Sequence, residues 1–248
     1  MNQLIYDNTV TKVVVCGDIH GAFETIVYKL CVQYAMTNTL LIVAGDCSFG
    51  FEKPAAYEML YNKIAGRLKK NNNYVAFIRG NHDDPSYFND ELIAHKRWRT
   101  VPDYCVISAA GHNILCIGGA ISVDRSLRKD RQLTHPYKET NIYWDDEAPV
   151  FNPEAIESLS VPIDIVVTHT APSFCEMQDH TSLWEWAQDD AKLIEDVTKE
   201  RQTMDMIYRA LKNKGMPLIH WFYGHFHQSW SSVIEGVRFK MLDIEEFF

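Results

Sequence analysis

The sequence predicts an α/β protein with mixed sheets. Three observations predict it: short apolar runs rich in β-formers recur along the chain, amphipathic helical patterns lie between them, and the last stretch reads as a hairpin. The runs are Val13–Cys16, Leu40–Ala44, Tyr74–Ile78, Ile114–Ile117, Ile163–Val167 and Ile219–Tyr223. Continuous runs fit strands covered on both faces, although run length alone leaves buried helix segments open. Between them, Phe23, Ile26, Val27, Leu30, Cys31 and Tyr34 fall at helical spacing on one face. Pro54 opens a second helix, with Tyr57, Leu60, Ile64 and Leu68 as its apolar stripe. A third is expected from about Gln188 to Lys214, acidic at its start (Asp189, Asp190) and basic at its end (Lys212, Lys214), with Gly215 as the cap. Ser232–Asp243 places Glu235-Gly236 between two alternating arms, the signature of a hairpin.

No repeat, low-complexity tract or Gly/Ser linker divides the chain, so residues 1–248 are expected to form one domain. Two long segments, Ser122–Asn152 and Ala171–Trp186, lack steady periodicity and are expected to be loops that shape the substrate site.

Composition narrows the function classes. The 248 residues are 46% hydrophobic, ample for a sizeable core, and carry a formal net charge of −9. An acidic balance counts against broad binding to nucleic acid or an anionic membrane, both of which need surplus Lys and Arg. It leaves phosphate substrates open, since bound cations reverse local charge. The six cysteines (Cys16, Cys31, Cys47, Cys105, Cys116, Cys175) include no C-x-x-C pair and read as reduced thiols. The N-terminal MNQLIYDNTV lacks the features of a signal peptide, and no apolar stretch is long enough to span a bilayer. The expectation is a soluble cytoplasmic protein.

The chemistry lies just beyond the end of each run. Val13–Cys16 leads into Gly17-Asp18-Ile19-His20-Gly21, Leu40–Ala44 into Gly45-Asp46, and Tyr74–Ile78 into Arg79-Gly80-Asn81-His82-Asp83. Ile163–Val167 leads into Thr168-His169, and Ile219–Tyr223 into Gly224-His225-Phe226-His227. If these strands share a direction, their carboxyl ends converge on one edge, the usual place for a site. Residues i and i+2 of an extended chain point the same way, which gives Asp18-x-His20 and His225-x-His227 a mechanical logic. Taken singly, each such Asp or His is better read as a cap or a surface residue. The ordered set is not readily explained that way. Oxygens from Asp and Asn together with imidazoles suit Mn²⁺, Fe or Zn²⁺ better than Ca²⁺ or a thiolate-rich structural zinc.

These ordered blocks resemble the five motifs of the calcineurin-like metallophosphoesterase superfamily, and they span nearly the whole chain. The resemblance implies a two-sheet mixed β-sandwich flanked by α-helices with a dinuclear site at strand carboxyl ends. It implies that Asp18, His20 and His227 hold one metal, that Asn81, His169 and His225 hold a second, and that Asp46 bridges them. The cofactors would be two divalent ions, Mn²⁺ first, with Fe, Zn²⁺ or Ni²⁺ as alternatives. A metal-bridging hydroxide would attack a phosphomonoester or phosphodiester in line. His82 would protonate the leaving group or stabilise the transition state.

The chain departs from the Ser/Thr protein phosphatase branch. That branch has an Asp three residues after the bridging Asp; here Gly45-Asp46-Cys47-Ser48-Phe49-Gly50 puts Phe49 there. An acidic partner for His82 must then come from elsewhere. Arg125, Arg128, Lys129 and Arg131 form a basic cluster, read as a phosphate clamp with Arg125 favoured, or else as a solvated loop paired with Asp130 or Glu139. Cys47 is expected to pack beside Asp46 rather than act as a redox thiol. His95, His112, His135, His180 and His220 are expected to be surface or satisfied histidines, with His135 and His180 worth noting for their place in the two long loops. Trp144, Trp184 and Trp186 could wall a pocket or pack under a loop. The leading expectation is therefore a metal-dependent phosphoesterase acting on a phosphate ester. The alternatives are a non-catalytic metal-binding scaffold and a nuclease of the same fold.

Overall fold

Alternate residues of the first three apolar runs face opposite ways, and each face has its own partner. Val14, Cys16, Leu41, Val43, Val75 and Phe77 pack outward against helices, whereas Val15, Leu40, Ile42, Tyr74 and Ala76 pack inward against a second sheet. Strands buried on both faces explain why their sequences read as unbroken apolar runs.

The computed structural model describes residues 3–134, 141–175, 177 and 180–248. One sheet has the order β2 (Lys12–Cys16), β3 (Thr39–Val43), β4 (Tyr74–Phe77), β6 (Trp98–Thr100) and β5 (Ala94–His95). Its first four members are parallel in that order and β5 runs antiparallel to β6. The other has the order β1 (Gln3–Ile5), β7 (Cys105–Ala109), β8 (His112–Ile117), β9 (Ile165–Thr168), β10 (His220–Tyr223), β12 (Val237–Met241) and β11 (Trp230–Ile234). In it β8, β9, β10 and β12 are parallel. The two sheets and their flanking helices form the mixed α/β sandwich that the sequence predicts.

The core between the sheets joins Leu40, Ile42 and Ala76 of one to Ile107, Ile114, Cys116 and Val167 of the other. Outside the first sheet lie α1 (Phe23–Tyr28), α2 (Pro54–Lys70) and α3 (Ser86–Asn89) around Trp98, whose ring packs 4.6 Å from that of Phe77. Outside the second lie α5 (Pro153–Glu157) and α7 (Leu193–Asn213), through Ile156, Met204, Ile207 and Leu211. Each fully buried side chain of this size contributes roughly 1.5–3 kcal/mol, so these three layers hold the sheets in place.

Several expectations are corrected. The first helix ends at Tyr28, and Lys29–Gln33 continues it as a π-helical turn. The third helix begins at Leu193 rather than near Gln188. Asp190, ahead of it, directs its carboxylate to Arg125 and to the Lys192 N–H instead. The segments Ser122–Asn152 and Ala171–Trp186 are not simple loops: they contain α4 (Arg125–Thr134) and α6 (His180–Trp186). The hairpin is as expected, with Glu235 and Gly236 at φ 49° and 81°, the pair of positive values a tight turn requires. Among the described residues no helix is long and apolar enough to cross a membrane.

Candidate metal centre

Parallel pairing within each sheet brings the ends of β2, β3 and β4, and those of β9 and β10, to one edge of the sandwich. Asp18, Asp46, Asn81, His169 and His225 all lie close behind those ends in the chain. His20 N donates to Asp46 O at 2.8 Å, locking the first two turns together. Gly80 and Gly224 sit where the turns meet. A Cβ on Gly80 would lie 2.1 Å from Asp46 Oδ1, and one on Gly224 would lie 2.0 Å from Asp18 Oδ1.

Asp18, His20, Asp46 and His227 each present a ligand atom, all within 4.8 Å of one another. His227 Nε2 lies 3.1 Å from Asp18 Oδ2 and 3.0 Å from His20 Nε2. Asp18 and Asp46 are buried, and Asp18 also accepts from the His225 N–H at 2.9 Å. Beside this group, His169 Nε2 lies 3.0 Å from Asn81 Oδ1 and 3.1 Å from Asp46 Oδ1. The His225 ring packs 5.0 Å from that of His169. Asp46 therefore turns Oδ1 toward Asn81 and His169, while Oδ2 lies 4.0 Å from His20 and 3.9 Å from His82.

The charges are set by proximity. Burial alone would lower the pKa of His169, but Asp46 and Asp18 raise it to about 10. Burial works to raise Asp46, yet His169 and His82 hold its carboxyl well below the usual range. His225, half-buried and facing His169, is held well below the ordinary imidazole value by desolvation and by its neighbour His169. Two buried carboxylates ringed by imidazoles, with an amide oxygen alongside, form a donor set that fits a borderline divalent cation.

The convergence leaves the backbone strained. His20, Asp46, His225 and His227 have φ of 42°, 48°, 70° and 50°. Asp and His tolerate the left-handed region better than most residues, but each such position costs on the order of 1–3 kcal/mol and such outliers gather at functional sites.

Behind Asn81 stands a relay that the sequence did not reveal. Asn81 Nδ2 donates to Ser122 Oγ at 2.9 Å, and Ser122 donates from Oγ and from N to the two oxygens of buried Glu147, at 2.6 and 2.8 Å. Arg79 holds this segment, donating to Glu147 O at 2.7 Å while its other face pairs with Asp103 at 2.8 Å. With Nδ2 tied back, Asn81 aims its oxygen at His169. Burial pushes Glu147 from 4.5 up to about 8, against the two Ser122 bonds. A carboxyl raised by folding stabilises the fold fully below its unfolded pKa and loses that contribution as pH rises toward the folded value. The stability this carboxyl contributes is therefore expected to fall between about pH 4.5 and pH 8, and Glu147→Gln to remove that part of the pH dependence. Melting midpoints of both proteins across this range check it.

His82 is half-buried at the rim. Its backbone N–H donates to Asp46 Oδ1 at 2.8 Å and its ring lies 5.3 Å from that of His20. Arg128, from α4, reaches across so that Nη2 lies 2.7 Å from His82 Nδ1 and also contacts Nε2. Burial, with Arg128 beside it, pushes His82 down to about 4 against the pull of Asp46. Arg128 is itself held by Asp124 at 2.8 Å. Asp83 turns away from His82: its oxygens accept the N–H groups of Cys47, Phe49 and Gly80 at 3.0, 2.9 and 2.7 Å.

Arg125, the arginine favoured from sequence, is engaged by two carboxylates, Asp190 at 2.5 Å and Asp196 at 2.8 Å. Cys47 packs as expected, buried, with burial and Asp83 raising its thiol. His95 pairs with Glu58 and His112 with Asp164, while His220 stacks on Phe222. His135 and Glu139 lie outside the described residues. Trp144 is buried and packs edge-on to Phe51, Trp186 joins the Ile121–Leu193 cluster, and Trp184 is exposed.

Residues 11–229 match the family model of calcineurin-like phosphoesterases, and the chain belongs to that family. It is 25% identical to the serine/threonine-protein phosphatase ppe1 of Schizosaccharomyces pombe over an alignment of 175 residues, covering 61% of this chain and 53% of that protein. It is likewise 25% identical over 171 residues to the serine/threonine-protein phosphatase 4 catalytic subunit of Kluyveromyces lactis, covering 60% and 54%. The chain thus spans about half the length of the curated relatives it matches. Among solved structures, the phosphopantetheinyl hydrolase of Mycobacterium tuberculosis is similar at a TM-score of 0.43 and 15% identity, covering 96% of this chain and 91% of that one.

Proposed function

We propose that this chain is a metal-dependent phosphatase that hydrolyses a phosphate ester at the edge where the strands converge. Asp18, His20 and His227 would hold one divalent ion, Asn81, His169 and His225 a second, and Asp46 would serve both. The observation that carries this reading is the split environment of Asp46, with Oδ1 at 3.1 Å from His169 and Oδ2 at 4.0 Å from His20. Divalent ions bound there would supply positive charge to the phosphoryl oxygens and acidify water, with Mn²⁺ as the first ion to test.

The protein's own groups carry the rest. Arg128, unlike Arg125, directs its Nη2 to a neutral imidazole while Nε stays on Asp124, and that Nη2 would take a phosphoryl oxygen when substrate arrives. That move releases His82 to face the leaving oxygen. As water's oxygen bonds to phosphorus and the ester P–O bond breaks, the proton that water loses balances the one the departing oxygen takes up, and His82 would relay it, accepting on one ring nitrogen and donating from the other. Ser122 and Glu147 hold Asn81 in place throughout.

The purified protein should turn over para-nitrophenyl phosphate and bis-para-nitrophenyl phosphate at unequal rates with Mn²⁺ and lose that activity on chelation. His82→Ala should lower turnover by ~10²–10⁴-fold, and more for phenyl phosphate than for the nitrophenyl ester, whose leaving group needs less help. Absence of metal-dependent turnover of either ester would overturn the proposal.

A further inference from the structure

A cavity of about 350 Å³ bounded by His20, Ser48, Phe51, Glu52, Ala56 and Leu60 adjoins the site. It is contiguous with the metal centre, because His20 belongs to both. Phe51 forms the shared wall: its ring lies nearly parallel to that of His82, 16° apart in plane and 6.4 Å between centroids. Trp144 fixes Phe51 from behind, edge-on at 5.5 Å. The floor is rigid as well, since Tyr57 donates to Ser48 O at 2.7 Å and accepts from Gly50 N at 2.9 Å. Among the described residues no lysine or arginine lines the cavity, and Glu52 is its acidic residue.

We propose that this cavity is the leaving-group subsite and that it takes an uncharged aromatic or apolar group. The inference rests on the phosphoesterase reading, because it uses His82 to mark where the ester oxygen departs. Arg128 meets His82 at its ring nitrogens and would hold the phosphoryl group there, while the cavity opens beside His20 and Phe51, so the remainder of the ester is directed past Phe51. A volume at the small end of ligand pockets accommodates a single ring or short chain. An anionic leaving group, such as one bearing a second phosphate, would meet Glu52 with no lysine or arginine in the lining to offset it. The subsite therefore selects simple monoesters of neutral alcohols or phenols over polyphosphates.

Phosphonates separate binding from leaving-group chemistry, because their P–C bond is not cleaved. Inhibition by phenylphosphonate and methylphosphonate is measured on the metal-loaded protein. Phenylphosphonate is expected to bind on the order of tenfold more tightly, from burial of its ring. Ala56→Trp, which fills the cavity from α2, should bring that ratio toward one, and Phe51→Ala should lower it by removing the wall. Circular dichroism establishes that each variant is folded, and either variant alone suffices. A ratio near one in the wild type, or a preference that survives in a folded variant, would overturn the subsite. Failure of the phosphoesterase reading shows separately, as no turnover of para-nitrophenyl phosphate by the wild type, whatever the phosphonate ratio.

Discussion

Asp46→Asn is expected to lower turnover of para-nitrophenyl phosphate by about three orders of magnitude and to reduce the divalent metal retained through gel filtration. Asp46 is the residue both donor groups share, one oxygen toward His169 and one toward His20 and His82. Asn keeps the shape but replaces one oxygen with an NH₂ group, which donates and cannot ligate a cation. Losing several kcal/mol of transition-state stabilisation corresponds to roughly three decades in rate. The His82 N–H bond to Oδ1 also constrains which way the amide can lie, so the NH₂ is directed to the Oδ2 side, toward His20. Metal content by elemental analysis and steady-state kinetics on the same preparation check both parts. Wild-type activity in a folded, metal-depleted variant would contradict the role given to Asp46.

Asp83→Ala is expected to have the largest effect on stability near the site, a loss of roughly 3–5 kcal/mol. Asp83 is buried and accepts three backbone N–H groups, from Cys47, Phe49 and Gly80. Burial and the charge of Asp46 raise its carboxyl to about 7, and the three N–H groups oppose that rise. Alanine would leave all three donors unpaired in the interior, at ~1–3 kcal/mol each, partly relieved by water entering the gap. That is a large share of a typical net stability of roughly 5–15 kcal/mol. Asp83→Asn should fall between: its oxygen can replace Oδ2, which serves Cys47 and Gly80, but its NH₂ then faces the Phe49 N–H. Urea denaturation of the three proteins orders them, and an Ala variant as stable as wild type would show that these bonds are dispensable.

Asp46 and Asp83 differ in how much of their role is legible in the sequence. Five strand ends could be read because each couples an unbroken apolar run to a polar residue beside a small turn. The adjacency of Asn81, His82 and Asp83 could be read too, but not their division of labour. Asp83 points inward because the Cys47–Gly50 turn presents two unpaired N–H groups to it, a fact of tertiary packing with no signature along the chain.

Helix α4 was hidden for a different reason. Its buried positions are Arg125 and Arg128, while Leu127 and Leu133 are exposed, so hydrophobic periodicity points the wrong way. The i,i+3 arginines and the i,i+4 pair Asp124–Arg128 were the signal available. It could not distinguish an arginine held by Asp190 and Asp196 from one lying on His82. Ser122 and Glu147 lie 25 residues apart, and nothing local links them. Strands such as Trp98–Thr100 and Gln3–Ile5 are too short for periodicity to register.

The proposed metal ligands come from both sheets, Asp18, His20, Asp46 and Asn81 following strands of one and His169, His225 and His227 following strands of the other. No short contiguous fragment of the chain contains enough of them to make the centre. Pairing of β10 with β9 joins residues about 55 positions apart, and His227 meets His20 across a separation of 207. Contacts of such range form slowly because loop closure precedes any gain from them. During refolding, then, secondary structure should recover before the capacity to bind metal, and a chain emerging from the ribosome should gain that capacity only after β10 and the turn beyond it are free to dock. Uptake of the ion would mark the last step of folding, and an ion bound at that moment would clamp one sheet to the other.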